Sequence, residues 1–370
     1  MPDFLPNLLP LPSLLIIPTG IGCSVGGYAG DAIPSARLLA ASSGCLITHP
    51  NVMNGGSLYW SDRRIHYVEG YSIDRFASGD LILKTVREQK VGLLIDAGLD
   101  KDILQRHLQV ADGCRASLGI NIGPFVITDE PLEISLNKGT SGSSWGIVEN
   151  LDSLLRAGIK LKEEGATAIA VVTRFPDDYD SNDLNMYRKG RGVDQLAGAE
   201  AVISHLLVKQ LNIPCAHAPA LSLAPIEFDL DPRAAGEEVG YTFLTSVLVG
   251  LSRAPDLVSI EEDTRSNPID QGGCIRIDQV GAAIVPEDAL GGAAVLACLE
   301  KRIPLICVAN KTVLDVNCKS LGLSGSSNLA KSSDVYNVSN YIEAAGLILA
   351  LREGIAIPSL KRPIDKTYQI

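Results

Sequence analysis

Short apolar runs that alternate with helix-like segments constrain the fold of this 370-residue chain more than any other feature. The clearest strand and helix patterns lie within residues 151–173, 194–217 and 282–309, where an amphipathic stretch is joined to a short run rich in Val, Ile and Ala. Alternation of this kind is typical of parallel βαβ units. The sequence therefore predicts an α/β protein with a doubly wound, mostly parallel and Rossmann-like sheet arrangement.

Two polar stretches interrupt the alternation and suggest how the chain is organised. Residues 128–149 break the pattern, which predicts two lobes: an N-terminal α/β lobe at residues 1–135 that contains a glycine-rich loop, and a C-terminal Rossmann-like lobe at residues 136–370. The second stretch, residues 176–193, is long for a loop in a compact domain, and such loops are often lids or binding loops. We interpret it as a lid.

Composition excludes several classes of function. The formal net charge is −11 and no stripe of Lys and Arg is present, so we expect no nucleic-acid partner. No apolar run reaches the ~18 residues that span a bilayer, and the apolar start of the chain lacks a basic region, so we expect no membrane partner. The eight cysteines include no C-x-x-C pair, which indicates reduced thiols and a soluble, cytoplasmic protein. A homo-oligomer is compatible with this composition.

Chemically active side chains follow the predicted strands, at the end where open α/β sheets bind their ligands. They are His49, Asp96, Arg174, His217, Asn310 and Lys311. We expect His49, Asp96 and His217 to supply proton transfer or metal ligation. The guanidinium of Arg174 and the ammonium of Lys311 suit a carboxylate or a phosphate, and Asn310 faces the same crevice.

A glycine-rich loop at residues 19–31 is the strongest local signal. Its candidate ligand-binding residues are Thr19, Gly20, Gly22, Gly26, Gly27 and Asp31. Such a loop between a strand and a helix lets backbone N–H groups approach an anion. The spacing misses the dinucleotide fingerprint by one residue, so a dinucleotide site, another anion site and a purely structural turn all stay open.

Other segments give weaker signals. Asn51, beside His49, either contacts the ligand or serves the geometry of a turn. Ser141 lies in a stretch of hydroxyl residues after Lys138, which is interpreted as an oxyanion site, a nucleophile or a hinge. His205 is interpreted as a surface residue from its helical phase. The Asp-rich run after Arg174 fits neither an EF-hand nor a D-D-x-x-D motif, so no metal site is predicted.

Together these residues predict a small-molecule metabolic enzyme that binds an anionic metabolite, carboxylate or phosphate, at the carboxyl ends of the strands. The cofactor is unknown, and lyase, isomerase, hydrolase and transferase chemistry all stay open. A ligand-binding or regulatory protein with no turnover is the main alternative, and a dinucleotide-dependent oxidoreductase is the second.

Several short segments, taken together, resemble a family of cyanobacterial and plastid proteins known as a domain of unknown function. They are Pro18-Thr-Gly-Ile-Gly, Gly26-Gly-Tyr-Ala-Gly-Asp31, Thr48-His-Pro-Asn51, Arg174-Phe-Pro-Asp177 and Pro214-Cys-Ala-His-Ala-Pro219. The resemblance covers nearly the whole chain. It implies a cyanobacterial-type cytosol, or a plastid stroma in plant relatives, and supplies no activity and no site residues.

Overall fold

The computed structural model describes residues 9–54, 62–177, 181–238, 243–263, 273–323, 335–364 and 366–367. The strands are β1 (Ser13–Leu15), β2 (Leu46–Thr48), β3 (Ile65–Tyr67), β4 (Leu81–Lys84), β5 (Val91–Ile95), β6 (Ile122–Ile127), β7 (Ile134–Lys138), β8 (Ser144–Val148), β9 (Ala168–Arg174), β10 (Cys215–Ala220), β11 (Asp256–Ser259), β12 (Cys274–Ile275), β13 (Ala282–Pro286), β14 (Leu305–Val308) and β15 (Val335–Val338). The helices are α1 (Ile33–Ser43), α2 (Pro50–Met53), α3 (Gly70–Ser78), α4 (Lys101–Leu118), α5 (Leu151–Glu163), α6 (Asn182–Arg188), α7 (Ala197–Leu211), α8 (Pro232–Glu238), α9 (Leu244–Leu251), α10 (Ile260–Asp263), α11 (Ala293–Glu300) and α12 (Tyr341–Arg352).

A six-stranded parallel sheet is built from both ends of the chain. Its order is β15-β14-β13-β1-β2-β3, so that β1 pairs with β13 on one side and with β2 on the other. Read from β3, this is the 3-2-1-4-5-6 order of the Rossmann fold, and its switch point lies between β1 and β13. The predicted α/β, Rossmann-like class is confirmed.

Helices cover both faces of this sheet because successive side chains along each strand point to opposite faces. Leu14 packs in the core that includes α3 and α11, whereas its neighbour Leu15 packs in the core that includes α1 and α12. The helix pairs α1–α12 and α3–α11 are in contact on the two faces. The arrangement is therefore doubly wound.

A second parallel sheet, β10-β9-β5-β6, is formed between residues 91 and 220. Helices α5 and α7 pack on one of its faces and α4 and α9 on the other. Two small antiparallel sheets accompany it, β11-β4-β12 and the hairpin β7-β8.

Sheet membership does not follow the boundary expected at residue 135, which lies inside β7. Strands from both sides of that position share each parallel sheet: β5 and β6 with β9 and β10, and β1 to β3 with β13 to β15. The sequence shows the order of elements along the chain, whereas pairing between distant strands is decided by which apolar faces meet. The second sheet is thus inserted into the first.

Candidate functional site

A cavity with two adjoining chambers lies where the carboxyl ends of the first sheet meet α7 and β10 of the second. The first, which we call the His–Glu chamber, has a volume of about 80 Å³. Its polar lining consists of Thr19, His49, Asn51, Asn54, Glu69, Glu200, Ser204, His205 and His217. The second, the carboxylate chamber, has a volume of about 200 Å³, and Ala29, Asn54 and Glu200 line both.

The topology explains why these residues meet. Thr19, His49 and Glu69 follow β1, β2 and β3, which are neighbours in one parallel sheet and therefore end at the same edge. Glu200 and His205 come from one face of α7, opposite that edge. Helix α7 is held there by a very close contact with β8, where a Cβ on Gly198 would lie 2.4 Å from the Ser144 carbonyl oxygen.

His217 is the most unusual group in the cavity. Its side chain is only 2% exposed, and its Nδ1 lies 3.9 Å from Glu200 Oε1. Its Nε2 is buried and has no hydrogen-bond partner among the described residues. Buried polar groups are normally paired, so an orphan nitrogen on a residue that lines a cavity points to a ligand or to a catalytic role. Burial lowers the pKa of His217 to about 3, which keeps the imidazole neutral.

Glu200 is the acidic partner of this pair. Burial raises its pKa well above the ordinary value, and the nearby carboxylates of Asp194 and Glu237 raise it further. Both effects favour the carboxylic acid form of Glu200, which can donate a proton. A neutral imidazole thus lies beside a carboxyl group whose acid form is favoured.

His49 is fixed in one tautomer by the backbone. It precedes α2, and its Nε2 accepts a hydrogen bond from the Ile17 N–H at 3.0 Å. Burial lowers the pKa of His49 to about 4, and the proximity of His205 adds to this effect. The neutral ring therefore carries its proton on Nδ1.

Glu69 and His205 form an ion pair across the His–Glu chamber, with Glu69 Oε1 2.8 Å from His205 Nε2. Glu69 also caps α3 by accepting the Tyr71 N–H. Burial acts to lower the pKa of His205, but the hydrogen bond and charge of Glu69 outweigh it, so the pKa is raised overall. Glu69 therefore favours the protonated form of this histidine.

Several acids line the carboxylate chamber, and the arginines near them among the described residues are held in ion pairs. Glu237 accepts hydrogen bonds from the Ala29 N–H and from the Tyr187 hydroxyl. Burial raises the pKa of Asp194 to about 6. The nearby Arg188 is bound to Glu238 at 2.6 Å. The chamber is therefore weakly suited to an anion.

Four of the residues predicted from the sequence come together in the His–Glu chamber: Thr19, His49, Asn51 and His217. Asn51 also donates from Nδ2 to the Gly26 carbonyl oxygen at 2.9 Å, so it holds the glycine-rich loop in place. His217 lies within β10 and not after a strand, as the sequence suggested, because the strand continues through Pro219 to Ala220. Proline is tolerated there since β10 is an edge strand.

Asp96 and Arg174 are placed outside the cavity. The Asp96 carboxylate is 1% exposed and accepts the N–H groups of Gly98, Leu132 and Arg174, which fixes three backbone segments. The Arg174 guanidinium binds Asp177 at 2.5 Å. Asp177 in turn accepts from Ser222, so this group ties β9 to the segment after β10.

Asn310, Lys311 and Ser141 are also away from the cavity. Asn310 accepts the Val25 N–H and donates to the Val25 carbonyl oxygen and to the Tyr341 hydroxyl. Lys311 is exposed, and its carbonyl oxygen accepts the Ser24 N–H. Ser141 lies at the exposed tip of the β7–β8 hairpin, where its hydroxyl contacts Ser143.

The glycine-rich loop is bound by the protein itself. Several of its N–H groups already have acceptors: Ser24 with Lys311, Val25 with Asn310, Gly26 with Asp31, Ala29 with Glu237 and Gly30 with Asn51. Gly22 has φ +63°, and a Cβ there would lie 2.9 Å from Val193 of the inserted segment. Gly20 and Gly27 are likewise in close contact, with Ser144 and Cys23. The geometry thus favours the structural interpretation of this loop.

The sequence interpretation missed Glu69, Glu200, His205, Asp194 and Glu237. A signal for part of this set exists in α7, where Ala197, Glu200, Ala201, Ser204 and His205 follow the spacing of one helical face. All five line the His–Glu chamber. A face of small and polar residues on an otherwise apolar helix indicates a cavity wall. His205 lies at the edge of this face with its side chain 42% exposed, so the surface position expected from its helical phase is observed as well.

Segment 176–193 lines the carboxylate chamber through Pro176, Asp177, Ser181, Leu184, Tyr187, Arg188 and Val193. Residues 178–180 of the expected lid lie outside the described residues. All eight cysteines are free thiols. In the described ranges, no group of three or more His, Cys, Asp or Glu side chains has the geometry to hold a metal ion.

The fold and the cavity define a Rossmann-like α/β protein whose candidate site lies between two parallel sheets. The chain belongs to the family described as "Protein of unknown function (DUF3326)", whose model matches residues 12–361. The predicted resemblance to such a cyanobacterial family is confirmed. The chain is 47% identical over 357 residues to an uncharacterized lipoprotein of Synechococcus sp. (strain ATCC 27144 / PCC 6301 / SAUG 1402/1), covering 96% of this chain and 94% of that protein. None of the helices described is both long enough and apolar enough to cross a bilayer.

Proposed function

We propose that this protein is a small-molecule metabolic enzyme that uses His217 and Glu200 for acid–base catalysis. The observation that carries the proposal is that His217, a neutral imidazole whose Nε2 has no partner among the described residues, lines the same chamber as Glu200, whose acid form is favoured by burial. General acid–base pairs need groups that differ in protonation state at the working pH. When His217 accepts a proton from the substrate and Glu200 donates one to it, the imidazolium and the carboxylate that result carry no net charge together.

The remaining lining residues serve to orient the substrate. His49 presents a fixed tautomer, and the Glu69–His205 pair adds one donor and one acceptor group. Isomerisation or elimination needs only proton removal and proton return, which these groups supply. Of the reaction classes left open by the sequence, the lyase and isomerase classes are therefore favoured.

The carboxyl groups of the cavity favour a substrate that offers hydrogen-bond donors over the anionic metabolite expected from the sequence. Asp177, Asp194 and Glu237 line the carboxylate chamber, and the two arginines beside it are held in ion pairs with Asp177 and Glu238. Carboxyl groups accept hydrogen bonds from hydroxyl and amino groups. We therefore propose a small substrate that carries hydroxyl or amino groups.

The test is to incubate the protein in D₂O with a metabolite extract of its own host and to follow the extract by mass spectrometry. An enzyme of this kind consumes one metabolite or exchanges one of its C–H groups for deuterium. H217Q and E200Q should slow that change by about 10²–10⁴-fold, the range typical of general acid–base groups. H107Q is the matched control, since His107 is also buried but lies on α4.

A ligand-binding protein with no turnover is the second candidate, and the same cavity supports it. It predicts that native mass spectrometry finds a retained metabolite while every metabolite in the extract stays unchanged. That result, or equal rates for H217Q and H107Q, would overturn the acid–base proposal. A dinucleotide-dependent oxidoreductase gains no support, because the glycine-rich loop donates its N–H groups to protein acceptors.

A further inference from the structure

A second hollow, which we call the arginine cleft, is lined by Tyr67, whose hydroxyl group bonds to Asn54 of the cavity lining. Its volume is about 650 Å³. Its lining comes from α2, from β3 and the residues before it, from the segment after β4, and from the end of α9. The lining residues with polar or charged side chains are Asp62, Arg63, His66, Tyr67, Thr85, Arg87 and Arg253.

The cleft is positive in a chain with a net charge of −11. Arg63, Arg87 and Arg253 reach it from three separate segments. Asp62 is the acidic residue of the described lining, and Arg64 already holds its carboxylate at 2.6 Å. In the described ranges no carboxylate pairs with Arg63 or Arg87. The guanidinium groups of Arg63 and Arg87 therefore face one hollow from two segments, and Arg253 reaches it from a third.

The wall beneath these arginines is rigid and close-packed. Gly250 of α9 lies against the Tyr67 ring, where a Cβ would approach Cε2 to 2.5 Å. The Tyr67 hydroxyl donates to Asn54 Oδ1 at 2.8 Å. His66, whose pKa is lowered by burial, adds a neutral imidazole to the wall. The hollow is thus preformed, and its size falls in the 300–1,000 Å³ range of small-molecule sites.

We propose that the arginine cleft is a binding site for a small molecule that carries phosphate or carboxylate groups. The planar guanidinium group pairs with either oxyanion through two parallel N–H···O bonds. A cleft with converging arginines and no extended basic stripe fits a compact polyanion better than a nucleic acid. This site is separate from the cavity formed by the His–Glu and carboxylate chambers, and the inference does not depend on the proposed function.

Titration calorimetry with inorganic pyrophosphate, in about 100 mM NaCl to screen long-range attraction, tests the proposal. We expect saturable binding with a stoichiometry of one per chain. R63Q and R87Q should each weaken it by about 5- to 10-fold, as expected for the loss of a charge-assisted hydrogen bond. R106Q is the matched control, because Arg106 is an exposed arginine on α4 outside the cleft.

A parallel titration with citrate distinguishes the two sources of oxyanion. Binding of pyrophosphate alone identifies a phosphate-bearing ligand, and binding of both identifies a general polyanion site. The proposal is overturned if neither probe binds saturably at millimolar concentration, or if R106Q weakens binding as much as R63Q and R87Q do. All these variants change exposed side chains, so circular dichroism should show an intact fold.

Discussion

Two hollows whose linings are joined by the hydrogen bond from Tyr67 to Asn54 show two ways in which this protein uses ionisable groups. The cavity formed by the His–Glu and carboxylate chambers holds groups whose uncharged forms are favoured by burial, which lowers the pKa of His217 and raises that of Glu200. The arginine cleft displays exposed guanidinium groups that stay charged at any physiological pH. Burial suits proton transfer because it sets which form of a group is present, whereas exposure suits charge recognition because it avoids the cost of desolvating an ion.

The largest effect is expected from displacing α7, because this helix lines the cavity and does not line the arginine cleft. In G198A the new methyl group would lie 2.4 Å from the Ser144 carbonyl oxygen and from the Trp145 Cα. We expect a loss of about 2–3 kcal/mol or more in the free energy of unfolding, because both obstacles are backbone atoms. Binding of pyrophosphate should be kept in the folded protein.

The matched control for that experiment is G113A. Gly113 is also a helical glycine, in α4, and a Cβ there would meet no atom within 4 Å. We expect it to stabilise the protein by up to about 1 kcal/mol, since alanine is the better helix former. Urea unfolding followed by circular dichroism measures both. Equal effects of the two substitutions would show that the α7–β8 contact is not tight.

The cost of burying an acid in the carboxylate chamber can be measured at Asp194. Burial raises the pKa of Asp194 from 3.8 to about 6, so its contribution to stability is full below pH 3.8 and is lost as the pH rises to 6. D194N removes this loss and should be more stable than the wild type above pH 6, by roughly 2–3 kcal/mol at 1.36 kcal/mol per pKa unit. The difference should shrink towards pH 4.

D229N is the control, because Asp229 is exposed and lies outside both chambers. As a substitution of an exposed side chain, it should change the free energy of unfolding by no more than about 0.5 kcal/mol. Chemical denaturation across this pH range provides the measurement. If D194N and D229N changed the free energy of unfolding equally at every pH, the carboxylate chamber would be well solvated. Its acids would then be as exposed to water as the arginines of the cleft.

The smallest effect is expected at Tyr67, which lines the arginine cleft and bonds to Asn54 of the cavity lining. Y67F removes the hydroxyl that donates to Asn54 Oδ1 and leaves the ring that packs on Gly250. We expect a loss of about 0.5–1.5 kcal/mol, the usual net worth of one hydrogen bond. Pyrophosphate should bind to Y67F as it does to the wild type. Weakened binding would show that the hydroxyl, and not the ring alone, shapes the cleft.

The sequence predicted the local elements well and their assembly poorly. The helix expected at residues 151–164 is observed as Leu151–Glu163, because its apolar face and its terminal glycine act locally. The pairing of β1 with β13 could not be derived, since every apolar strand is an acceptable neighbour for every other one until the tertiary packing is known. The expected boundary at residue 135 depended on that missing information.

The candidate site was predictable where a residue follows a strand of the first sheet. Thr19, His49 and Asn51 lie in the cavity for this reason, and His217 joins them from β10. The same rule also selected Asp96 and Asn310, which bind backbone groups instead, because a polar side chain at a strand end serves equally well to hold a loop. The acidic residues of the cavity can be recognised as one group only when the packing of α7 against the first sheet is known.

The place of β1 in the six-stranded sheet has a consequence for biosynthesis. Its partner β13 follows about 270 positions later in the chain, so at 5–20 residues per second it is made roughly 13–54 s after β1. During that time one edge of β1 has no partner, while the strands between residues 91 and 220 are all available to pair with one another. The inserted sheet can therefore assemble on the ribosome before the sheet that encloses it, and the first strand to be synthesised is among the last to be completed.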